Sequence, residues 1–152
     1  MKNQNVISST HNAEAEISKV LYTGKVHITG GRVGKATSND GRLKISLSTP
    51  GGPGNGTNPE QLFAAGWSAC FIGAMRHNAS GLQIALPADL AVDAEVDLGT
   101  GENGFQLQAR LNVSLPGLTT EQAKTVVEAA HQTCPYSKAT RGNINVEINV
   151  AV

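Results

Sequence analysis

The sequence predicts an α+β domain. Runs whose apolar residues recur at every second position mark strands, and two segments with capping residues and helical spacing mark helices. Strands precede and follow those helices without regular strand–helix alternation. The chain has 152 residues, the size of one domain, enough to bury roughly 68–70% of its unfolded surface without metal or disulfide staples.

Each element follows from local chemistry. Residues 1–18 show no period and are expected to be a flexible extension; residues 19–152 are expected to form the domain. Lys19 to Thr29, rich in Val, Tyr, Thr and Ile, reads as a strand. Gly30-Gly31-Arg32-Val33-Gly34 is a turn or loop, and Asn39-Asp40-Gly41 is a hairpin signal. Leu43, Ile45 and Leu47 then alternate with Lys44, Ser46 and Ser48 as a half-buried strand. Thr49 to Thr57 is dense in Gly and Pro and reads as a loop. Asn58 is a good N-cap, Pro59 fits the first helical position, and Gln61 is placed to close a capping box. A helix is therefore expected from Pro59 to about Ala79, with Gly81 as its C-cap. Residues 91–98 alternate weakly. Residues 105–115 alternate strongly, with Phe105, Leu107, Ala109, Leu111, Val113 and Leu115 on one face and polar residues on the other. Thr119 opens a second helix with Gln122 at its third position, and Pro135 stops it just after Cys134. Ile144, Val146, Ile148 and Val150 form a last strand.

Composition excludes several functions. Twelve basic residues balance twelve acidic ones, so no basic excess exists to hold a phosphate backbone. Aromatics are 4% of the chain, too few for base-stacking platforms. The longest apolar run, Phe63 to Met75 broken by Ser68, is short of the ~20 residues of a bilayer span. The polar N-terminus has no apolar signal core, so the cytoplasm is the expected location. Gly51-Gly52-Pro53-Gly54 lacks the Lys-Ser/Thr of a phosphate loop and reads as a flexible loop.

Phe63 to Met75 is apolar on all sides, and a helix of that kind must be covered on all sides. One sheet covers one side only. The remainder is closed either by a second helix of the same chain or, the sharper reading, by the same helix of a second subunit.

The candidate chemistry lies in the two cysteines, Cys70 and Cys134. In a reducing compartment such a pair is more often redox-active than a permanent staple. A reactive thiol must ionise. For Cys70 the helix start at Pro59 is about 16 Å away, beyond the reach of the dipole, and burial works against ionisation. A reactive Cys70 therefore needs a cation from tertiary structure, an arginine by preference. Arg32, Arg42, Arg110 and Arg141 are open candidates; Arg76, six residues on, points away from the Cys70 face. Cys134 ends a helix, where the dipole disfavours a thiolate, so it suits the role of second thiol. His77 and His131 match no common zinc spacing with the cysteines, so no metal is expected. Cys70 and His77 lie about 10 Å apart on one rigid helix, too far for a hydrolase pair.

Asn58-Pro59-Glu60-Gln61-Leu62-Phe63-Ala64-Ala65-Gly66-Trp67-Ser68-Ala69-Cys70-Phe71 closely resembles the first cysteine motif of the organic hydroperoxide resistance group of the OsmC-like superfamily. Cys134-Pro135-Tyr136-Ser137 resembles the second, and Tyr22-Thr23-Gly24 with Gly30-Gly31-Arg32-Val33-Gly34 is similar to the N-terminal strands and arginine loop. The resemblance covers about residues 19–150; Trp67-Ser68 stands where smaller or tyrosyl residues are common. It implies an OsmC-like fold: antiparallel sheets wrapped around central buried helices in an intertwined homodimer with sites at the subunit interface. It implies a thiol peroxidase that reduces alkyl or fatty-acid hydroperoxides to alcohols, with no bound cofactor and re-reduction by an external dithiol such as a lipoylated protein. On this resemblance Cys70 is the peroxidatic cysteine, Cys134 the resolving cysteine, Arg32 the activating arginine and Glu60 the carboxylate that positions it. Phe71, Gln61 and Tyr136 are the candidate substrate-contacting residues.

Physical chemistry adds two points. Full ionisation of a thiol gains at most about 30-fold at pH 7, so further acceleration must come from orienting the O–O bond and stabilising the leaving alkoxide, which suits an arginine fork. Glu60 and Cys70 are ten residues apart on one helix, about 15 Å along its axis, so antiparallel pairing of two copies is the expected way to bring them together. Two alternatives stay open: a broader OsmC-type peroxidase that also uses hydrogen peroxide, and a non-catalytic apolar-ligand or redox-sensing module on the same fold.

Overall fold

The computed structural model describes residues 16–152; most of the expected N-terminal extension, residues 1–15, lies outside the described residues. The elements run β1 (Val26–Thr29), β2 (Gly34–Ser38), β3 (Lys44–Leu47), α1 (Pro59–Ala79), β4 (Ala91–Gly101), β5 (Gly104–Ser114), α2 (Thr120–Thr133), α3 (Pro135–Thr140) and β6 (Asn145–Ala151). They form two three-stranded sheets, β1-β2-β3 and β4-β5-β6, with α1 and α2 packed together and against the second sheet.

The first sheet is antiparallel throughout. Its first turn carries Arg32: Val33 N–H donates to the Gly30 carbonyl, and Gly31 takes φ +59, as the first central residue of a type II′ hairpin turn does. Gly34 admits no side chain, because a Cβ there would meet the Thr29 carbonyl at 1.8 Å. The strand expected over residues 19–29 shortens to β1. Ile17, Val20, Leu21 and Tyr22 have no ladder partner among the described residues and are 67–87% exposed. β2 was not anticipated, because Lys35, Thr37 and Ser38 carry little strand signal; pairing on both sides makes the strand.

α1 starts as its caps dictate, with Asn58 accepting from Gln61 N–H at 2.8 Å. The expected capping box does not close, since the Gln61 carboxamide instead accepts from the Thr57 hydroxyl at 2.8 Å. At the other end the left-handed position falls on Gln83 (φ +56) rather than on Gly81. The helix runs on through Ser80, and Ile84 N–H bonds back to the Ala79 carbonyl. α2 has a complete capping box between Thr119 and Gln122.

β5 is the central strand of the second sheet, and its alternation gives two faces. Ala109, Leu111, Val113 and the following Leu115 are buried against α1 and α2, with Trp67, Phe71, Met75, Val126 and Ala130. Phe105, the outermost member of the apolar set, is exposed at the hairpin end. Removing the Leu111 side chain, wholly buried on this strand, is expected to cost about 2–5 kcal/mol; Leu111→Ala should lower the urea midpoint without changing the slope.

One pairing departs from the all-antiparallel expectation: β5 and β6 run parallel. The connection through α2 and α3 crosses the sheet and returns the chain in its original direction. The solvent face of this sheet is held by charge pairs. The Arg110 guanidinium grips Asp97 at 2.8 and 3.0 Å and reaches Glu95 at 3.1 Å. These bonds hold the Asp97 carboxyl down at about 2. Its stabilising effect is present above the ordinary carboxylate value, about 3.9, and fades as pH falls through about 2. Carboxyl NMR should find Asp97 titrating near 2, and higher in Arg110→Ala, where the Gln108 carboxamide remains as a donor to it.

α1 is not covered on every side within one chain. Trp67, Phe71, Ala74, Met75 and Ala79 are buried, whereas Ala65, Ala69 and Gly73 form an exposed stripe of small residues at four-residue spacing.

Candidate active site

The two cysteines meet. Cys70 lies in the middle of α1, half-buried, and Cys134 is fully buried between α2 and α3; both are free thiols with their sulfurs 3.3 Å apart. Cys134 N–H closes α2 on the Ala130 carbonyl at 2.8 Å, and its own carbonyl accepts from Lys138 N–H to open α3. Cys134 is thus the C-cap of one helix and the N-cap of the next, where the sequence indicated only a helix end. A proline at the first position is a helix-start signal as much as a stop, and it was the available clue to α3.

Burial pushes the Cys70 thiol above its ordinary value; the Tyr136 N–H opposes this, and Cys134 adds to it. Pro135 has no N–H, so Tyr136 carries the first free donor of α3. No arginine acts on Cys70 among the described residues of one chain. Arg42 lies by Asp40, Arg110 is held by Asp97 and Glu95, Arg141 donates to the His131 carbonyl, and Arg76 is exposed on α1.

Arg32 instead pairs with Glu60 through a two-pronged contact, Nη1 to Oε2 at 3.0 Å and Nη2 to Oε1 at 2.5 Å. The pair joins the β1–β2 turn to the first turn of α1. Arg32's hydrogen bonds hold the Glu60 carboxyl below its usual range, against the opposing effect of burial. The structure therefore brings Arg32 to Glu60, and Cys70 to Cys134, as two separate pairs.

Glu60 and Gln61 border a cleft of 340 Å³ whose other wall includes Val96 and Leu98 of β4. Neither sulfur lines it. Tyr136, 39% exposed, stands edge-on to Phe63 with ring centroids 6.1 Å apart. It also lies over Gly66, where a Cβ would come within 3.2 Å of its hydroxyl. Phe63 and Tyr136 thus make an apolar wall over Gly66, and the Tyr136 backbone N–H acts on Cys70. Phe71 is fully buried in the core with Trp67 and Met75, whereas Phe63 is only partly buried. Next to this wall the Trp67 indole N–H donates to Ser137 Oγ at 3.3 Å, both residues fully buried. The sequence places Ser137 in the second motif without a role, because α3, which buries it, is not signalled there. Among the described residues no group of three or more His, Cys, Asp or Glu is gathered for a metal ion, and no helix is long and apolar enough to cross a membrane.

The family model described as OsmC-like protein matches residues 52–149. The organic hydroperoxide resistance protein of Xanthomonas axonopodis pv. citri is 48% identical over 141 residues, covering 90% of this chain and 99% of that protein. A crystal structure of an organic hydroperoxide resistance protein from Legionella pneumophila superposes with a TM-score of 0.82 at 46% identity, over 88% of this chain and 100% of that one. OhrB of Bacillus subtilis superposes with a TM-score of 0.82 at 43% identity, over 87% of this chain and 100% of its own.

Proposed function

Because the chain belongs to the OsmC-like family and, within it, to the organic hydroperoxide resistance proteins, we propose that it is a thiol-dependent peroxidase that reduces organic hydroperoxides to alcohols. The observation that carries this reading is the pair of free sulfurs 3.3 Å apart, one half-buried and one fully buried.

The Cys70 thiolate attacks one peroxide oxygen. An S–O bond forms, the O–O bond breaks, and the leaving alkoxide takes a proton to become the alcohol. Cys70 is then a sulfenic acid. Cys134 attacks its sulfur, the S–S bond forms, and the oxygen leaves as water. An external dithiol, such as a lipoyl group, restores both thiols by exchange. Phe63 and Tyr136 suit the apolar part of an alkyl or fatty-acid hydroperoxide better than hydrogen peroxide.

The cation that Cys70 needs is supplied in this reading by Arg32 of a second copy. Three observations support a homodimer with shared sites. The Ala65–Ala69–Gly73 stripe leaves α1 open to close approach by another helix. Apolar side chains of residues 17–22 stand exposed. Arg32 and Glu60 sit at the first turn of α1, about 15 Å along the axis from Cys70 in the same chain. The cytoplasm remains the proposed location.

The test is turnover with dihydrolipoamide and three oxidants: cumene hydroperoxide, a fatty-acid hydroperoxide and hydrogen peroxide. The apolar wall predicts a preference of about 10–200-fold for the organic substrates. Equal rates would favour the broader peroxidase, and no turnover with any of them would favour a sensing or binding module.

A further inference from the structure

Two pairs of groups join α1 to α3, and they stand in step. Cys70 on α1 faces Cys134 at the cap of α3. Three residues before Cys70 is Trp67, and three residues after Cys134 is Ser137; these two share the indole-to-hydroxyl hydrogen bond at 3.3 Å. The offset on each helix is about one turn, so the bond runs beside the sulfur pair. Both groups are fully buried, so breaking the bond leaves a polar group without water to replace its partner. Phe63 and Gly66 grip the intervening Tyr136 from the same face of α1. α3 has only six residues, too few to hold its own orientation without such contacts.

We propose that the Trp67–Ser137 hydrogen bond positions Cys134 for disulfide closure, so that it governs the second thiol step and not the first. Ser137 and Trp67 are positioning residues: they touch neither the peroxide nor the sulfurs' reacting electrons. The peroxide half of the claim rests on the function proposed above, but the closure step does not, and the experiment separates the two.

The probe is an aromatic disulfide, dithiobis-nitrobenzoate, followed by its coloured thiolate. Cys70, the more accessible thiol, attacks first and releases one thiolate, leaving a mixed disulfide. Cys134 then attacks the Cys70 sulfur, forms the Cys70–Cys134 bond and releases the second thiolate. In Ser137→Ala the first release should keep its rate and the second should slow about tenfold, the scale of one lost buried hydrogen bond. Trp67→Phe, which removes the donor but keeps an aromatic ring, should slow the second release likewise. The double variant should be no slower than either single one, since the two groups act as a unit. With cumene hydroperoxide, Ser137→Ala should accumulate sulfenic and then sulfinic acid at Cys70 at about tenfold lower peroxide than the unsubstituted protein. A second release within twofold of the unsubstituted protein in both single variants, or equal slowing of both releases, overturns the proposal. If hydroperoxide fails to oxidise Cys70 even in the unsubstituted protein, the peroxidase reading fails, while the aromatic-disulfide arm still decides whether this hydrogen bond controls closure.

Discussion

Cys70→Ser is expected to abolish turnover of alkyl hydroperoxide with dithiol, by at least about a thousandfold, while Cys134→Ser keeps its first turnover and fails afterwards. The asymmetry follows from the chemistry. A serine hydroxyl cannot ionise near neutral pH, so Cys70→Ser removes the only accessible nucleophile of the pair. Cys134 does not substitute for it, being fully buried. Without Cys134 the first attack remains possible, but the sulfenic acid has no nearby thiol to condense with and proceeds to sulfinic acid under excess peroxide. Mass spectrometry should find one added oxygen on Cys70 after one equivalent of cumene hydroperoxide, and two after excess. Full turnover by Cys70→Ser, or rapid steady-state turnover by Cys134→Ser with the same dithiol, contradicts the assignment.

Arg32→Ala should lower the rate of the first oxidation by about 10²–10³, the usual loss when a charged donor to a developing oxyanion is removed. Arg32→Lys should recover little, because an ammonium cannot reproduce the two-pronged grip that Glu60 receives at 3.0 and 2.5 Å. The shared-site reading makes a sharper demand. Cys70→Ser chains supply an intact Arg32 and Arg32→Ala chains an intact Cys70. Mixed dimers of the two therefore hold one complete site, and a mixture refolded together should regain activity that neither parent has. If activity stays at the parental level after mixed dimers are shown to form, Arg32 does not act across the interface. Glu60→Gln should have a smaller effect on the first step. It loosens the guanidinium without removing it, and it also removes a negative charge that opposes ionisation of Cys70.

Local chemistry is enough to read α1, α2 and the central strand β5. Asn58 and Pro59 set the start of α1, Thr119 and Gln122 the start of α2, and the strict alternation from Phe105 to Leu115 both faces of β5. In each case the deciding interaction lies within a few residues. The motif around Cys70 likewise carries the resemblance to the family within fourteen consecutive residues. Other features were not legible because their causes lie elsewhere in the chain. β2 exists because it has two neighbours, and residues 19–24 form no strand because they have no ladder partner among the described residues. The parallel β5–β6 pairing follows from a crossover whose direction is set by packing.

The order of residues along the chain thus offers the groups for the proposed chemistry: two thiols and, through the resemblance, an arginine in a glycine-flanked turn and a carboxylate at a helix start. Tertiary packing alone decided which of them meet. It placed the sulfurs 3.3 Å apart across 64 residues and joined Trp67 to Ser137 across 70. Within one chain it also joined Arg32 to Glu60 rather than to Cys70. Helix and strand periods fix the direction of a side chain about its own axis, but the distance between two elements depends on how the apolar faces of the whole chain close over one another.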